Sequence, residues 1–221
     1  MPRTARASVG GICYHVINRG NARATVYHDP ADYRAFIDLM KVACQRIPMR
    51  VLTYCLMPNH FHLVIWPRKD GHLSRWMHWL LTAHVSRHQR VHSTTGRIWQ
   101  GRFKAFAIEQ DRHLLTVMRY VERNPVRANL VQDAAAWDWS SLSSGNISLN
   151  SSLLSVSPVT KPRNWREFVN EPQTADEVAA LRHCGWKNTP YGSKAWVTKT
   201  VVRLGLQSSV RGPGRPKPGH S

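Results

Sequence analysis

The chain has 221 residues, enough for one mid-sized domain with an appendage, and 42% of them are hydrophobic, as is ordinary for a folded protein. Lysine and arginine number 31 against 13 aspartates and glutamates, so the formal net charge is +18 and a polyphosphate partner is favoured. No run approaches the roughly 18 apolar residues of a membrane span, and the N-terminus lacks the apolar core of a secretory signal. We therefore expect a cytoplasmic protein without a membrane partner. Four cysteines without a CxxC pair are typical of reduced thiols rather than of a disulfide framework or zinc knuckle.

Strand and helix patterns alternate along the first part of the chain. Strands are predicted at residues 12–18, 50–57, 60–66 and 104–110, and helices at residues 29–47, 73–91 and 111–124. Asp29 and Asp111 are suited to cap the first and third helices, and Pro125 to end the third. The order β-α-β-β-α-β followed by a helix is the ferredoxin-like pattern of α+β proteins, in which helices pack against an antiparallel sheet.

We expect four segments along the chain. Residues 1–145 form the compact α+β domain, residues 146–163 a Ser/Asn-rich linker, residues 164–205 a small helical extension, and residues 206–221 a basic, Gly/Pro-rich disordered tail. After Glu177 the chain has eight basic residues and no acidic one, so the C-terminal region is expected to act as an electrostatic arm.

Residues 56–66, LMPNHFHLVIW, carry two histidines inside a strand-like run. Strand side chains alternate between faces, so His60 and His62 lie on one face and Phe61 lies on the other. Two imidazoles whose Cα atoms are roughly 6–7 Å apart can converge on one metal ion. The alternative is a pair of hydrogen-bonded or partly exposed histidines, and the motif alone does not decide between the two.

The predicted third helix carries a second candidate feature. Tyr120 lies off the apolar stripe of that helix and shares the other face with His113, Thr116 and Asn124. A tyrosine among arginines on such a face is a candidate for chemistry rather than for the core. Asn124, one turn later, could supply an oxygen to the same cation as the two histidines.

Four ordered motifs resemble those of a known family. They read HVINRGN at 15–21, LMPNHFHLVI at 56–65, WQGRFKAF at 99–106 and YVERNPVRANLV at 120–131. By these motifs the chain is similar to the repeat-associated tyrosine transposases (RAYT), a branch of the single-tyrosine HUH transposases, over most of residues 10–140. The resemblance implies the HUH fold, which is a ferredoxin-like antiparallel sheet with packed helices.

The resemblance also implies an activity and its residues. The activity is DNA transposition, through cleavage and rejoining of single-stranded DNA at hairpin-forming, REP-like repeats. In this family His60 and His62 would bind a divalent metal, Mg²⁺ or Mn²⁺, with Asn124 as a third ligand. Tyr120 would be the nucleophile that forms a 5′-phosphotyrosine link to the DNA. The RAYT branch further implies a monomer rather than a homodimer.

Basic and aromatic residues near the motifs are candidate contacts to single-stranded DNA. They are Arg97, Trp99, Gln100, Arg102 and Lys104 around WQGRFK, Arg119 and Arg123 beside the tyrosine, Arg19 in the RGN turn, and Arg215 in a tail that resembles an AT-hook. The alternative for Trp99 is a place in the core.

Other functions fit parts of the same sequence. A domesticated protein that binds hairpin DNA without cutting it would keep the basic residues, and a general ferredoxin-like RNA- or DNA-binding domain would leave the histidines unexplained. A histidine-triad nucleotide hydrolase is excluded because Val64 stands where its third histidine belongs. His84, His88 and His92 have no carboxylate or cysteine among them and are interpreted as a solvated or phosphate-facing helix surface.

Overall fold

A four-stranded antiparallel sheet lies at the centre of the computed structural model, which describes residues 8–145 and 150–210. Its strands are β1 (Cys13–Arg19), β2 (Met49–Met57), β3 (His60–Pro67) and β4 (Lys104–Ile108). Their order across the sheet is β2-β3-β1-β4, with antiparallel neighbours throughout. This is the ferredoxin-like arrangement that the sequence predicts, and the α+β fold class is confirmed.

The helices are α1 (Pro30–Arg46), α2 (His72–His92), α3 (Arg112–Glu122), α4 (Asn124–Arg127), α5 (Trp165–Asn170), α6 (Ala175–Lys187) and α7 (Lys194–Arg203). The first three begin and end close to the positions predicted from the sequence. Asp29 caps α1 by accepting from the N–H groups of Ala31 and Asp32, and the Asp111 side chain accepts from the N–H of His113 at the start of α3. Within the two described ranges, no helix is both long enough and apolar enough to cross a membrane.

The two faces of the sheet are covered by different helices. On one face, Phe61 and Leu63 of β3 belong to a core that includes Phe36 of α1 and Trp76 of α2. On the other face, Val64 packs in a second core with α3. Because strand side chains alternate, His60 and His62 face α3 and not the helices α1 and α2.

The chain after residue 149 packs against this sheet. Leu154 forms a bridge with Val51 of the edge strand β2, and the hydroxyl of Tyr54 donates to the Asn150 side chain over 2.6 Å. This part of the predicted linker therefore lies on the α+β domain and does not extend away from it. The predicted segment 164–205 contains α5, α6 and α7, whereas residues 146–149 and the tail from 211 onward, Arg215 included, lie outside the described residues.

A buried carboxylate at the end of α3 joins the two parts of the chain. Glu122 is completely buried, and its side chain accepts hydrogen bonds from Thr53 Oγ1 at 2.7 Å, Ser141 Oγ at 2.8 Å and Trp165 Nε1 at 2.6 Å. Lys161 lies 3.3 Å from the same carboxylate. A buried charge needs such partners, because desolvating it costs several kcal/mol when they are absent.

We expect Glu122→Ala to lower the free energy of unfolding by about 3 kcal/mol or more, because it leaves several buried donors without an acceptor. Glu171→Ala is the matched control, since the Glu171 side chain is 63% exposed and its loss should cost under about 0.5 kcal/mol. Urea denaturation followed by circular dichroism measures both values. Equal losses in the two variants would contradict the role given to Glu122.

Candidate active site

The two histidines of the HFH motif are placed by a tight hairpin. Pro58 and Asn59 form the whole connection between β2 and β3, so Met57 pairs directly with His60. The rings of His60 and His62 face the same side of the sheet, with centroids 5.1 Å apart and planes nearly perpendicular. The sequence-predicted convergence of the two imidazoles is therefore present in the structure.

Hydrogen bonds at Nδ1 orient both rings. His60 Nδ1 lies 2.7 Å from the Asn59 side-chain oxygen, and His62 Nδ1 lies 2.8 Å from His15 Nε2. When each Nδ1–H donates to its partner, the lone pair of each imidazole lies on Nε2. This is the tautomer in which a histidine can bind a metal through Nε2 while its other nitrogen is held in place.

His15, which sequence reasoning missed, is part of this array. It lies on β1, is buried, and stacks on His62 with ring centroids 5.0 Å apart. Its own Nδ1 is buried and has no hydrogen-bond partner among the described residues. Strand alternation in HVINR could have indicated it, because His15 shares a face with Arg19, which pairs with His60 across the sheet.

Burial keeps all three imidazoles neutral. Desolvation, reinforced by the charges of Arg19 and Arg127, lowers the pKa of His60 to about 4. Burial also lowers the pKa of His15 to about 3, and burial together with His15 and His60 holds the pKa of His62 well below its usual value. At pH 7 each ring therefore carries a proton on only one of its two nitrogens, and the other nitrogen keeps its lone pair.

Tyr120 lies against the histidines from α3. Its ring centroid is 5.8 Å from that of His62 and 6.2 Å from that of His15, with both contacts edge-on. The residue is only 9% exposed and belongs to the core on this face of the sheet. The sequence predicted that α3 has one apolar and one polar face. In the structure, C-terminal segments of the chain cover the outer side of its last turn, so this turn is buried on all sides.

Asn124 lies in the same cleft, but its amide is already engaged. Its side-chain nitrogen donates to the carbonyl oxygens of Tyr120 and Val121, and its oxygen accepts from Arg127 Nη2 over 2.6 Å. A carbonyl oxygen has two lone pairs, so one remains for another ligand. The structure thus orients the predicted third ligand by hydrogen bonds to the backbone of α3.

Arg127 is a second residue that sequence reasoning missed. Its guanidinium carbon lies 4.1 Å from the centre of the Tyr120 ring, and its Nη1 is buried without a hydrogen-bond partner among the described residues. Burial lowers the pKa of this arginine, while the neighbouring Tyr120 acts in the opposite direction. The signal was present in the sequence, since Arg127 follows Tyr120 by seven residues, or about two helical turns.

These side chains line one cleft of about 670 Å³. Five cations contribute to its walls, namely Arg19, Arg102, Lys104, Arg127 and Arg182, together with Gln100. No aspartate or glutamate is present among the lining residues that the structure describes. A concave site with this charge favours an anionic ligand.

Helix α6 forms one wall of the cleft through Arg182 and Trp186, neither of which was singled out in the sequence. Trp186 is 66% exposed, and Lys187 lies over its ring at 4.8 Å. An exposed indole at the rim of a basic cleft has the chemistry of a base-stacking platform. Sequence reasoning missed this wall of the cleft, because residues 164–205 were interpreted as an appendage.

Several residues that were predicted to contact DNA lie outside this cleft. Trp99 is 6% exposed and packs against Phe61, which favours the core alternative for this side chain. Arg97 is exposed but does not line the cleft. Arg119 donates to the carbonyl oxygen of Glu171 over 2.8 Å and Arg123 to that of Val169 over 3.1 Å. Both arginines thus bind the C-terminal carbonyls of α5 and its continuation, and neither lines the cleft.

Comparisons with known proteins identify the family of this chain. A family model for IS200-like transposases matches residues 8–124. A protein of Haemophilus influenzae described as a REP-associated tyrosine transposase is 26% identical over an alignment of 117 positions, and the match covers 48% of this chain. The chain spans 66% of that relative, just under two thirds of its length.

Solved structures bear on the fold. A REP-associated tyrosine transposase bound to a REP hairpin aligns with 79% of this chain and 100% of its own, at a TM-score of 0.53 and 18% identity. A transposase of Deinococcus radiodurans aligns with 58% of this chain and 92% of its own at 15% identity, but its TM-score of 0.39 is too low to carry an argument. The motif resemblance to the repeat-associated tyrosine transposases is confirmed, and the chain belongs to the IS200-like transposase family.

Proposed function

We propose that the protein is a metal-dependent single-stranded DNA endonuclease and strand transferase that acts on hairpin-forming repeats through a 5′-phosphotyrosine intermediate. The observation that carries this proposal is the meeting of Tyr120 with His60 and His62 in one basic cleft. A protein that only binds DNA needs the cations but has no use for an aligned phenol and two neutral imidazoles.

The chemistry is a transesterification. Tyr120 Oη forms a bond to the scissile phosphorus, and the bond from phosphorus to the 3′ oxygen breaks. The phenol loses its proton, and the leaving oxygen gains one to become a free 3′-hydroxyl. The phosphotyrosine link conserves the phosphodiester, so attack by another 3′-hydroxyl rejoins the strand without ATP.

Arg127 is suited to stabilise this reaction. Its guanidinium lies over the ring of Tyr120, and its buried Nη1 has a free donor in the described structure. A phosphate oxygen would satisfy that donor with a charge-assisted hydrogen bond, which is stronger than a neutral one. The same cation offsets the negative charge that develops as the phenol oxygen attacks the phosphorus.

The donor set fits a divalent metal. When His60 and His62 donate through Nδ1 to the partners that hold them, their Nε2 lone pairs are left for a cation, and the Asn124 oxygen retains one lone pair. Such a mixed nitrogen and oxygen set accepts Mg²⁺ or Mn²⁺ with water and phosphate completing the shell. When bound, the metal offsets the phosphate charge that Tyr120 must approach.

The substrate class follows from the cleft and from the relatives. The cleft is lined by five cations, and a structural relative of the same fold is described as bound to a REP hairpin. Single-stranded DNA next to a hairpin would place its phosphates along Arg19, Arg102 and Lys104, with a base free to stack on Trp186.

The direct test is incubation with single-stranded hairpin oligonucleotides from repeats of the source genome, with Mg²⁺ or Mn²⁺ and with EDTA. We expect a covalent protein–DNA adduct on a denaturing gel that requires the metal. Tyr120→Phe, which keeps the ring beneath Arg127, should abolish the adduct. His62→Ala should abolish it while leaving hairpin affinity within about threefold, because phosphate contacts supply most of the binding. Tight hairpin binding without any adduct would instead support a binding protein that no longer cuts.

His15→Phe should lower the cleavage rate by about 10- to 100-fold, because it removes the acceptor that fixes the His62 tautomer. His15→Gln retains a side-chain acceptor and should restore much of the loss. Mn²⁺ affinity, measured by electron paramagnetic resonance titration, should follow the same order. Unchanged Mn²⁺ affinity in His15→Phe would show that His15 does not orient the metal-binding ring.

Two tryptophans should separate stability from binding. Trp186→Ala should weaken binding to single-stranded DNA by about 5- to 150-fold, the loss of one base stack of about 1–3 kcal/mol, without changing the free energy of unfolding. Trp99→Ala should destabilise the fold by about 3–5 kcal/mol as a core truncation. Fluorescence anisotropy and urea denaturation give the two readouts, and the reverse pattern would contradict the placement of these residues.

A further inference from the structure

Three histidines lie close together at helix α2, which covers the face of the sheet opposite the one that carries His60 and His62. His28, in the segment before α1, lies next to His88 and His92, which are one turn apart on α2. Their potential ligand atoms all lie within 4.8 Å of one another. Ring centroids are 4.5 Å apart for His88 and His92 and 4.6 Å apart for His28 and His92.

The buried state of His88 indicates that this cluster needs a ligand. His88 is 4% exposed, yet neither of its ring nitrogens has a hydrogen-bond partner within the described part of the chain. Leaving a buried polar group unsatisfied costs about 1–3 kcal/mol, and such groups are rare in native structures. The interpretation of the His84–His88–His92 ladder as a solvated surface was wrong for its first two members, because the structure buries both.

The buried carboxylate of Asp32 holds two of the three histidines in place. Asp32 accepts from His92 Nε2 over 2.9 Å and from Arg87 Nη1 over 2.9 Å, and it also accepts from the backbone N–H of His28. With Nε2–H donated to Asp32, the lone pair of His92 lies on Nδ1. Metal-binding histidines are commonly oriented by a carboxylate in this way.

We propose that His28, His88 and His92 form a second metal site, separate from His60 and His62, that binds Zn²⁺ or a similar late first-row divalent ion. Three imidazoles with an open fourth position are a standard ligand set for zinc, and imidazole donors suit zinc, copper and nickel better than magnesium. Ligand nitrogens about 2.1 Å from a tetrahedral zinc ion are about 3.4 Å apart. Small side-chain rotations from the observed spacing would close the site.

The position of the cluster suggests what the metal does. It would fasten the segment that precedes α1 to helix α2. In that segment the N–H groups of Val26 and Tyr27 both donate to the Pro58 carbonyl oxygen, at 2.8 and 3.2 Å. Pro58 lies in the turn between β2 and β3, two residues before His60. The metal would therefore stabilise the backbone that positions His60 and His62.

A second group of potential ligands, Glu109, Asp111 and His113, does not carry the same inference. The Asp111 side chain accepts from the backbone and the ring of His113, and Glu109 accepts from Ser193. These three residues are half-buried, and their side chains already have hydrogen-bond partners.

The test is zinc binding by the untagged full chain after EDTA treatment, measured by equilibrium dialysis and mass spectrometry of the metal. We expect the wild-type protein to retain one more equivalent of zinc than His28→Ala, and we expect that variant to fold because His28 is exposed. His88→Phe, which fills the buried space without a nitrogen, should lose the same equivalent. His78→Ala, an exposed histidine elsewhere on α2, is the matched control and should bind as the wild type does.

Two further measurements complete the test. Zinc should raise the melting temperature of the wild type and of His78→Ala but not of His28→Ala. The double variant His60→Ala/His62→Ala should retain the zinc equivalent, because the proposed site does not use those residues. The proposal is overturned if His28→Ala binds as much zinc as His78→Ala, or if all zinc binding disappears in the double variant.

Discussion

The pairing of β1 with β3 is the constraint on which the candidate active site depends. In their register Ile17 lies opposite His62 and Arg19 opposite His60, which brings His15 beside His62 and a cation beside the motif. Both strands are central in the sheet and have cores on either face, so a slip of one residue would turn every side chain to the wrong side. The hydrophobic alternation that holds the register therefore also sets the positions of the imidazoles.

The arginines of α3 and α4 have different roles, because two of them bind backbone carbonyls and one faces the candidate site. Arg119 and Arg123 bind backbone carbonyls around the end of α5, whereas Arg127 lines the cleft and lies over Tyr120, with a buried Nη1 that has no partner among the described residues. The C-terminal region is thus a part of the site. It is fixed to α3 by these contacts and by Glu122, and α6 then closes one wall of the cleft.

Much of the fold could be predicted from local patterns, because strand alternation, helical spacing and the Asp29 and Asp111 caps act over a few residues. The same patterns placed His60, His62 and Tyr120. His15, Arg127 and Trp186 were not found, because their importance arises from contacts between segments distant in the chain. His84 and His88 were misjudged, and the choice between DNA contact and core was left open for Trp99, because burial depends on which elements pack above a residue and composition alone does not reveal it.

In the proposed reaction Tyr120 carries the DNA as a covalent intermediate. Mass spectrometry of the protease-digested adduct that forms with a single-stranded hairpin oligonucleotide and Mn²⁺ is the most direct test of this role. We expect a peptide containing Tyr120 whose mass is increased by a 5′-phosphodeoxynucleotide, with the modification localised to that side chain by fragmentation. A nucleotide attached to a different tyrosine, or to a serine or histidine, would contradict it.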